Sequence, residues 1–257
     1  MPRACRCAAI LGAALLLAGA PAAAQTLADD PAFTRYRQAA AAFEAKDYAR
    51  AAALAAESLQ HYRDNLQAHY LIGQAALAGE RWEDAAAAFR RVVELSPSSF
   101  AGHRELAIAL ERLGRDGEAV KAYETALTLR PDNEPVQTRL AFLHLSSGNR
   151  DAALPLLSAL AERGSRDPQV WSALAGIRYD AGDLAAGEKA FARAATLRDD
   201  GKLWFNLGVV RLRLDDDAGA REAFERAARH PEVQAQAREQ LEGLEPRQPE
   251  PAGDARP

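Results

Sequence analysis

Small and large apolar residues recur along this chain at one fixed interval. The small ones are Ala51, Ala85, Ala119, Ala153, Gly187 and Ala220, separated by 34, 34, 34, 34 and 33 residues. Four positions after each stand Ala55, Phe89, Tyr123, Leu157, Phe191 and Phe224, of which only Ala55 is small. A third line runs through Ile72, Leu106, Leu140, Leu174 and Leu207, each followed by Gly or Ala. Within a unit, Ile72 and Ala76 share one face of a 3.6-residue period, the mark of an amphipathic helix. Turn formers interrupt the pattern at Gly114-Arg115-Asp116, Gly148-Asn149, Gly182-Asp183 and Asp215–Asp217. The pattern predicts units of two antiparallel helices joined by a short turn. A lone pair cannot bury its apolar face, so stacking of units must supply the core. The large residues are expected to fill the space between units. Gly73 and Gly208 are expected to let a neighbouring helix come close.

The last unit reads Trp204, Leu207, Gly208, Ala220, Phe224, and the third reads Leu106, Ala107, Leu110, Ala119, Tyr123, Ala126, Pro131. Pro97 and Pro131 close two units, again 34 apart. This resembles the tetratricopeptide repeat, in which Trp-x2-Leu-Gly-x2-Tyr, Ala-x3-Phe and a proline recur over about 34 residues. The resemblance implies an all-α, right-handed α-solenoid of about six helix-turn-helix repeats with a C-terminal capping helix. The units run 32–65, 66–99, 100–133, 134–167, 168–200 and 201–230. A capping helix over 231–245 follows, read as a helix from Glu232 to Leu244. The Pro-, Gly- and charge-rich stretch 246–257 is expected to be disordered.

The start of the chain has a different character. Arg3 and Arg6 precede an apolar run from Ala8 to Ala18, then Gly19, Pro21 and Ala22–Ala24. That order predicts a signal peptide over 1–24, cut after Ala24, with 25–31 as a short linker. The run is too short to span a bilayer, which takes about 20 apolar residues. Both cysteines, Cys5 and Cys7, precede the run, so a lipid anchor is not expected and the mature chain has no thiol. Losing Arg3 and Arg6 takes the formal charge from -4 to -6 (-4 minus 2). An acidic chain has no electrostatic reason to bind nucleic acid. A soluble periplasmic or secreted protein, with no membrane insertion after cleavage, is the expectation.

Motifs for chemistry are missing. No two of His61, His69, His103, His144 and His230 stand four apart, and there is no HExxH. His69 and His103 occupy equivalent positions in adjacent units and are read as core packing where the family often has Trp, as at Trp171 and Trp204. Asp215–Asp217 lacks the alternation of a calcium loop and reads as a helix cap. No GxSxG, Walker loop or dinucleotide-binding glycine turn occurs. No enzyme, no cofactor and no metal are expected.

The resemblance also implies which residues meet a partner, because positions 2, 5, 9, 12 and 13 of each unit face the family's concave groove. The candidates are Tyr36, Phe43, Tyr70, Gln74, Arg104, Ile108, Thr138, Phe142, Tyr179 and Phe205. Tyrosine suits such a face, offering large area and a hydroxyl for backbone groups. A family variant grips a C-terminal carboxylate with Lys at 5 and Asn at 9, but no unit here has Lys at 5. The fragments Lys202 and Asn206 stand in the last unit. The reading is a cell-envelope adaptor binding a protein or peptide, with oligomeric state open. A self-associating spacer and an enzyme with an unrecognised site are the alternatives.

Overall fold

The structure, a computed structural model, describes residues 30–244. The proposed signal peptide, both cysteines and the tail from 246 lie outside them. The described residues form helices joined by turns and short linkers. The chain divides into two compact units, one ending at Val136 and the other beginning at Gln137.

In the first unit, α1 (Pro31–Glu44) pairs with α2 (Tyr48–Leu59), α3 (Leu66–Ala78) with α4 (Trp82–Leu95), and α5 (Phe100–Arg112) with α6 (Asp116–Leu129). The first helices lie side by side, α1 against α3 and α3 against α5. The division falls within the helix α7 (Glu134–Ser146). In the second unit, α7 packs with α8 (Arg150–Glu162), α9 (Pro168–Asp180) with α10 (Leu184–Leu197), and α11 (Gly201–Arg213) with α12 (Asp217–Ala227). The last helix, α13 (Gln234–Gly243), covers α12. These are the solenoid-type helix pairs and cap that the periodicity predicts.

Local chemistry sets the ends of the helices. Asp47, Asn65, Ser99, Asp183 and Asp216 each turn a side-chain oxygen onto a backbone N–H three residues on, satisfying a donor that the first turn leaves open. Where no side chain caps, as at α4 and α6, acidic residues fill the first turn instead. Each intra-pair turn contains one left-handed residue: Lys46, Glu80, Gly114, Gly148, Gly182 and Asp215, with φ from 57° to 80°. Only three of the six are glycine.

The core follows the sequence pattern, with Ala51, Ala85, Ala119, Ala153 and Ala220 fully buried. The helix glycines let a neighbouring helix come close, as the sequence predicts. A Cβ on Gly73 would lie 2.6 Å from Cζ of Phe89, and one on Gly208 2.6 Å from Cε1 of Phe224. Each glycine seats the large residue on the second helix of its own pair, sixteen positions later. The large residues accordingly fill their own pair and not only the space between pairs. The close approach between pairs is made at Gly102, where a Cβ would meet Val92 of α4 at 2.8 Å. The final helix also begins later than expected, at Gln234. The preceding chain turns against Gly201, whose Cβ position is 2.5 Å from Cβ of His230 and 2.7 Å from Cγ2 of Val233. That packing holds 230–233 out of the helix.

Candidate functional site

The candidate partner-facing residues sit on the first helix of each pair, and all ten are half-buried. None is sealed in the core and none is fully exposed. In the first unit they come from α1, α3 and α5. Tyr36 lies against the cluster of Ala39, Ala55 and Leu71, and Phe43 meets the ring of Tyr48 at 5.4 Å, tilted by 59°. Tyr70 places its ring edge-on to Phe89 at 5.5 Å and 72°. Burial raises the pKa of both the Tyr36 and Tyr70 phenols, and the Glu105 carboxylate adds to the shift at Tyr70. Both hydroxyls therefore remain donors at neutral pH.

Arg104 is already engaged. Its Nε donates to Oε1 of Glu105 at 3.2 Å, and Nη2 bonds the same oxygen. Its guanidinium also lies over Phe100 at 5.8 Å. Burial opposes its charge, yet Glu105 and Tyr70 more than restore it, and the pKa stands above its ordinary value. Glu105, the one charged residue among the buried described residues, is thus paired with its sequence neighbour. Gln74 and Ile108 lie on α3 and α5, each about one turn along from Tyr70 and Arg104 respectively, within the same outward faces.

In the second unit, Phe142 packs on the cluster of Ala141, Ala153 and Leu157. Phe205 lies 5.4 Å from the Phe224 ring, tilted by 60°. Tyr179 lies beneath the guanidinium of Arg213, 5.0 Å from ring centre to Cζ. Thr138 is half-buried on α7. Arg213 was not among the candidates, although it is position 13 of its repeat, and that spacing could have found it.

The histidines and tryptophans at position 4 of the repeats share a role that the periodicity did not disclose. His69 Nε2 is 2.9 Å from the Arg63 carbonyl oxygen, and His103 Nε2 is 2.9 Å from that of Pro97. Trp171 Nε1 donates to the Ser165 carbonyl at 2.7 Å. In all three a ring nitrogen reaches the carbonyl six residues back, across the linker between pairs. A carbonyl can only accept, so both histidines carry their proton on Nε2. At Trp204 the indole turns instead to Oδ1 of Asp199, at 2.7 Å. His69 and His103 are therefore linker ties rather than core fillers. Among the described residues no cluster of His, Cys, Asp or Glu could hold a metal ion, and no helix is long and apolar enough to cross a membrane.

Comparison with known proteins agrees with this geometry. A family profile described as "Tetratricopeptide repeat" matches residues 36–100, 70–134 and 177–234, and a second profile of the same description matches 112–177. Among curated proteins of Caenorhabditis elegans, the chain is 23% identical to tetratricopeptide repeat-containing protein trd-1 over 53% of its own length, and 27% identical to BBSome complex member bbs-4 over 46%. It spans only 18% and 26% of those two relatives. Among solved structures it resembles MamA (residues 41 to the end) of Desulfovibrio magneticus RS-1, with TM-score 0.55 and 23% identity over 69% of this chain and 95% of that one. It also resembles YrrB, titled a TPR protein with an unusual peptide-binding site, with TM-score 0.63 and 16% identity over 73% and 97%. Repeat interval, helix pairing and matched profiles agree: the chain belongs to the tetratricopeptide repeat family, whose fold serves generally as a non-catalytic scaffold for protein–protein interaction.

Proposed function

We propose that this protein is an adaptor of the bacterial cell envelope that holds a peptide segment or partner protein on the outward faces of its first helices. The supporting observation is the uniform half-burial of the ten candidate residues. Their bodies are fixed by packing while one side stays open, so little side-chain freedom remains to be lost on binding. Gln74 and Thr138 add half-buried polar side chains on those faces. The likeness to YrrB is one of fold, so the peptide reading rests on this chain's own residues. Export rests on the sequence from Arg3 to Ala24. Against the self-stacking spacer stands the polar outer face of α13, where Gln236, Arg238, Glu239 and Glu242 are exposed.

The test is capture of partners from envelope extract by the mature chain and by a Gln74→Arg, Thr138→Arg double variant. These substitutions add bulk to the open faces without removing a core contact. Recovery of the same partners in equal amount by both would reject the assignment. The exported protein should begin at Gln25 by mass spectrometry; a mature form that retains Met1 would overturn the periplasmic reading.

A further inference from the structure

The last helix is weakly held. α13 has 10 residues, and isolated helices shorter than about 12–15 residues are marginal in water, so its helicity depends on docking. Within it only Ala237 is buried. Val233 just ahead of it is also buried, and Leu241 and Leu244 are partly buried against the same cluster. Two polar bonds add to this contact. Gln234 Nε2 donates to the Ala228 carbonyl at 3.0 Å, and Arg221 Nη2 donates to that of Leu244 at 2.8 Å. A small further term in the turn 228–233 can therefore shift how firmly α13 is docked.

His230 sits in that turn. Its backbone N–H donates to the Ala227 carbonyl at 3.0 Å, and its own carbonyl accepts from Val233 at 3.2 Å. The ring stands between two carboxylates: Nε2 is 3.4 Å from Oδ1 of Asp199, and Nδ1 is 4.0 Å from Oε1 of Glu232. The same Asp199 oxygen accepts the Trp204 indole N–H at 2.7 Å, so one carboxylate joins the start of α11 to the turn before α13. The other charges on the surrounding elements are otherwise engaged or turned to solvent. Asp200 caps α11 and pairs with Arg198 at 3.4 Å. Arg226 lies over the Trp204 ring at 4.4 Å and pairs with Glu222 at 2.9 Å. Lys202, Glu225, Arg229, Arg238, Glu239 and Glu242 are exposed. The Asp199 carboxyl is held below its ordinary 3.8 first by the Trp204 N–H, with His230 and Arg226 adding to it. It is therefore ionised wherever histidine titrates.

We propose that His230 is a pH-sensitive latch on the capping helix: its charged ring ties the turn 228–233 to Asp199, and loss of the charge loosens α13 from α12. Histidine is the side chain whose charge ordinarily changes between about pH 5 and 8. An interaction made by the charged form is present at low pH and lost as pH rises through that range. The neutral ring keeps one N–H, so the tie to Asp199 weakens rather than breaks. The outcome concerns the end of the array. A repeat array needs its terminal face covered by a polar cap to stay soluble, and α13 is what covers α12. The latch thus sets how often that face opens. It does not depend on the adaptor reading, and failed capture of partners would leave it standing.

The experiment is native-state hydrogen exchange of the mature chain at about pH 5.5 and about pH 7.5, on either side of the histidine range. Each amide rate is divided by that of an unstructured peptide at the same pH. Amides of α13 are expected to lose about threefold in protection at the higher pH, the size of effect an exposed ion pair gives, while those of α9 keep theirs. His230→Gln keeps a polar side chain without the charge, and Asp199→Asn keeps an acceptor for Trp204. Each should remove the difference between the two pH values, with circular dichroism checking that helicity is kept. The comparison of α13 with α9 in the parent chain decides the matter even where a variant folds poorly. Equal protection of α13 at both pH values would overturn the proposal, and so would a difference that persists in a folded variant. A loss shared by α9 would also overturn it, because the effect would then belong to the second unit as a whole.

Discussion

Gly208 lies directly under the ring of Phe224, with room for a hydrogen and none for a methyl group. The same relation joins Gly73 to Phe89. Alanine at either glycine must push a fully buried ring in a packed core, and overpacking of this kind costs about 1–3 kcal/mol. Thermal unfolding of Gly73→Ala and Gly208→Ala should show that loss. Gly176 and Gly187 are the contrast: a Cβ meets nothing within 4 Å at the first and only ordinary contacts, 3.4 Å and beyond, at the second. Alanine there should stabilise by about 0.5–1 kcal/mol through helix propensity. A stabilised Gly73→Ala would show that the ring moves freely.

Glu80 adopts φ 57° where equivalent turns use glycine. A left-handed conformation costs a non-glycine residue roughly 1–2 kcal/mol. Glu80→Gly should therefore raise the melting temperature, despite the entropy that glycine adds to the unfolded chain, while Gly114→Ala should lower it. A lower melting temperature for Glu80→Gly would place the cost in the unfolded chain instead.

At position 4, replacement by Phe should remove the tie and keep the ring. His103→Phe is expected to lose about 0.5–1.5 kcal/mol, the net worth of one hydrogen bond. His103→Trp should lose little, because Trp171 makes the same bond with its own N–H. Urea denaturation of the three proteins compares them, and equal midpoints for Phe and Trp would remove the tie from the energetics.

The Asp199 carboxyl titrates below its ordinary 3.8, held down first by the Trp204 indole N–H and then by His230 and Arg226. A pKa lower in the folded than in the unfolded state means that the stabilisation is present above the unfolded value. It is lost as pH falls through the folded value. The indole N–H resonance of Trp204 should shift as acid is added below pH 3.8, and Asp199→Ala should remove that step. An unchanged titration in the variant would assign it to another group.

Pro155 is the sixth residue of α8, exposed, and without an N–H to offer the Asp151 carbonyl. We expect amides of α8 to exchange faster than those of α6 between Ala119 and Leu129. Equal protection would mean that water at the exposed Asp151 carbonyl offsets the missing bond.

The repeat interval was legible because each buried alanine and each ring obeys a spacing that a single chain displays. Gly73 and Phe89 could both be seen, but not that they touch, since sixteen residues separate them across a turn. The ties made by His69 and His103 were hidden for another reason. Their residue type suggested a core filler or a ligand, while the acceptor is a backbone carbonyl, which leaves no trace in the identity of Arg63 or Pro97. Lys46 and Glu80 escaped notice as turn residues because neither is a residue type that favours a left-handed backbone. On the outward faces, spacing selected half-buried positions but could not reveal that Arg104 is held by Glu105 or that Tyr70 leans on Phe89.

The position-4 bonds have a consequence for how such a chain can lengthen or shorten. The rings of His69, His103 and Trp171 reach back by a constant six residues to an atom that every amino acid supplies. Removing residues 66–99 would set His103 six residues after Arg63, whose carbonyl His69 now occupies. One repeat can replace another without stranding a donor, so whole-unit duplication or loss leaves the linker intact. The joints are interchangeable parts, and the chain's length is free to vary in steps of 34 while the residues on its open faces change independently.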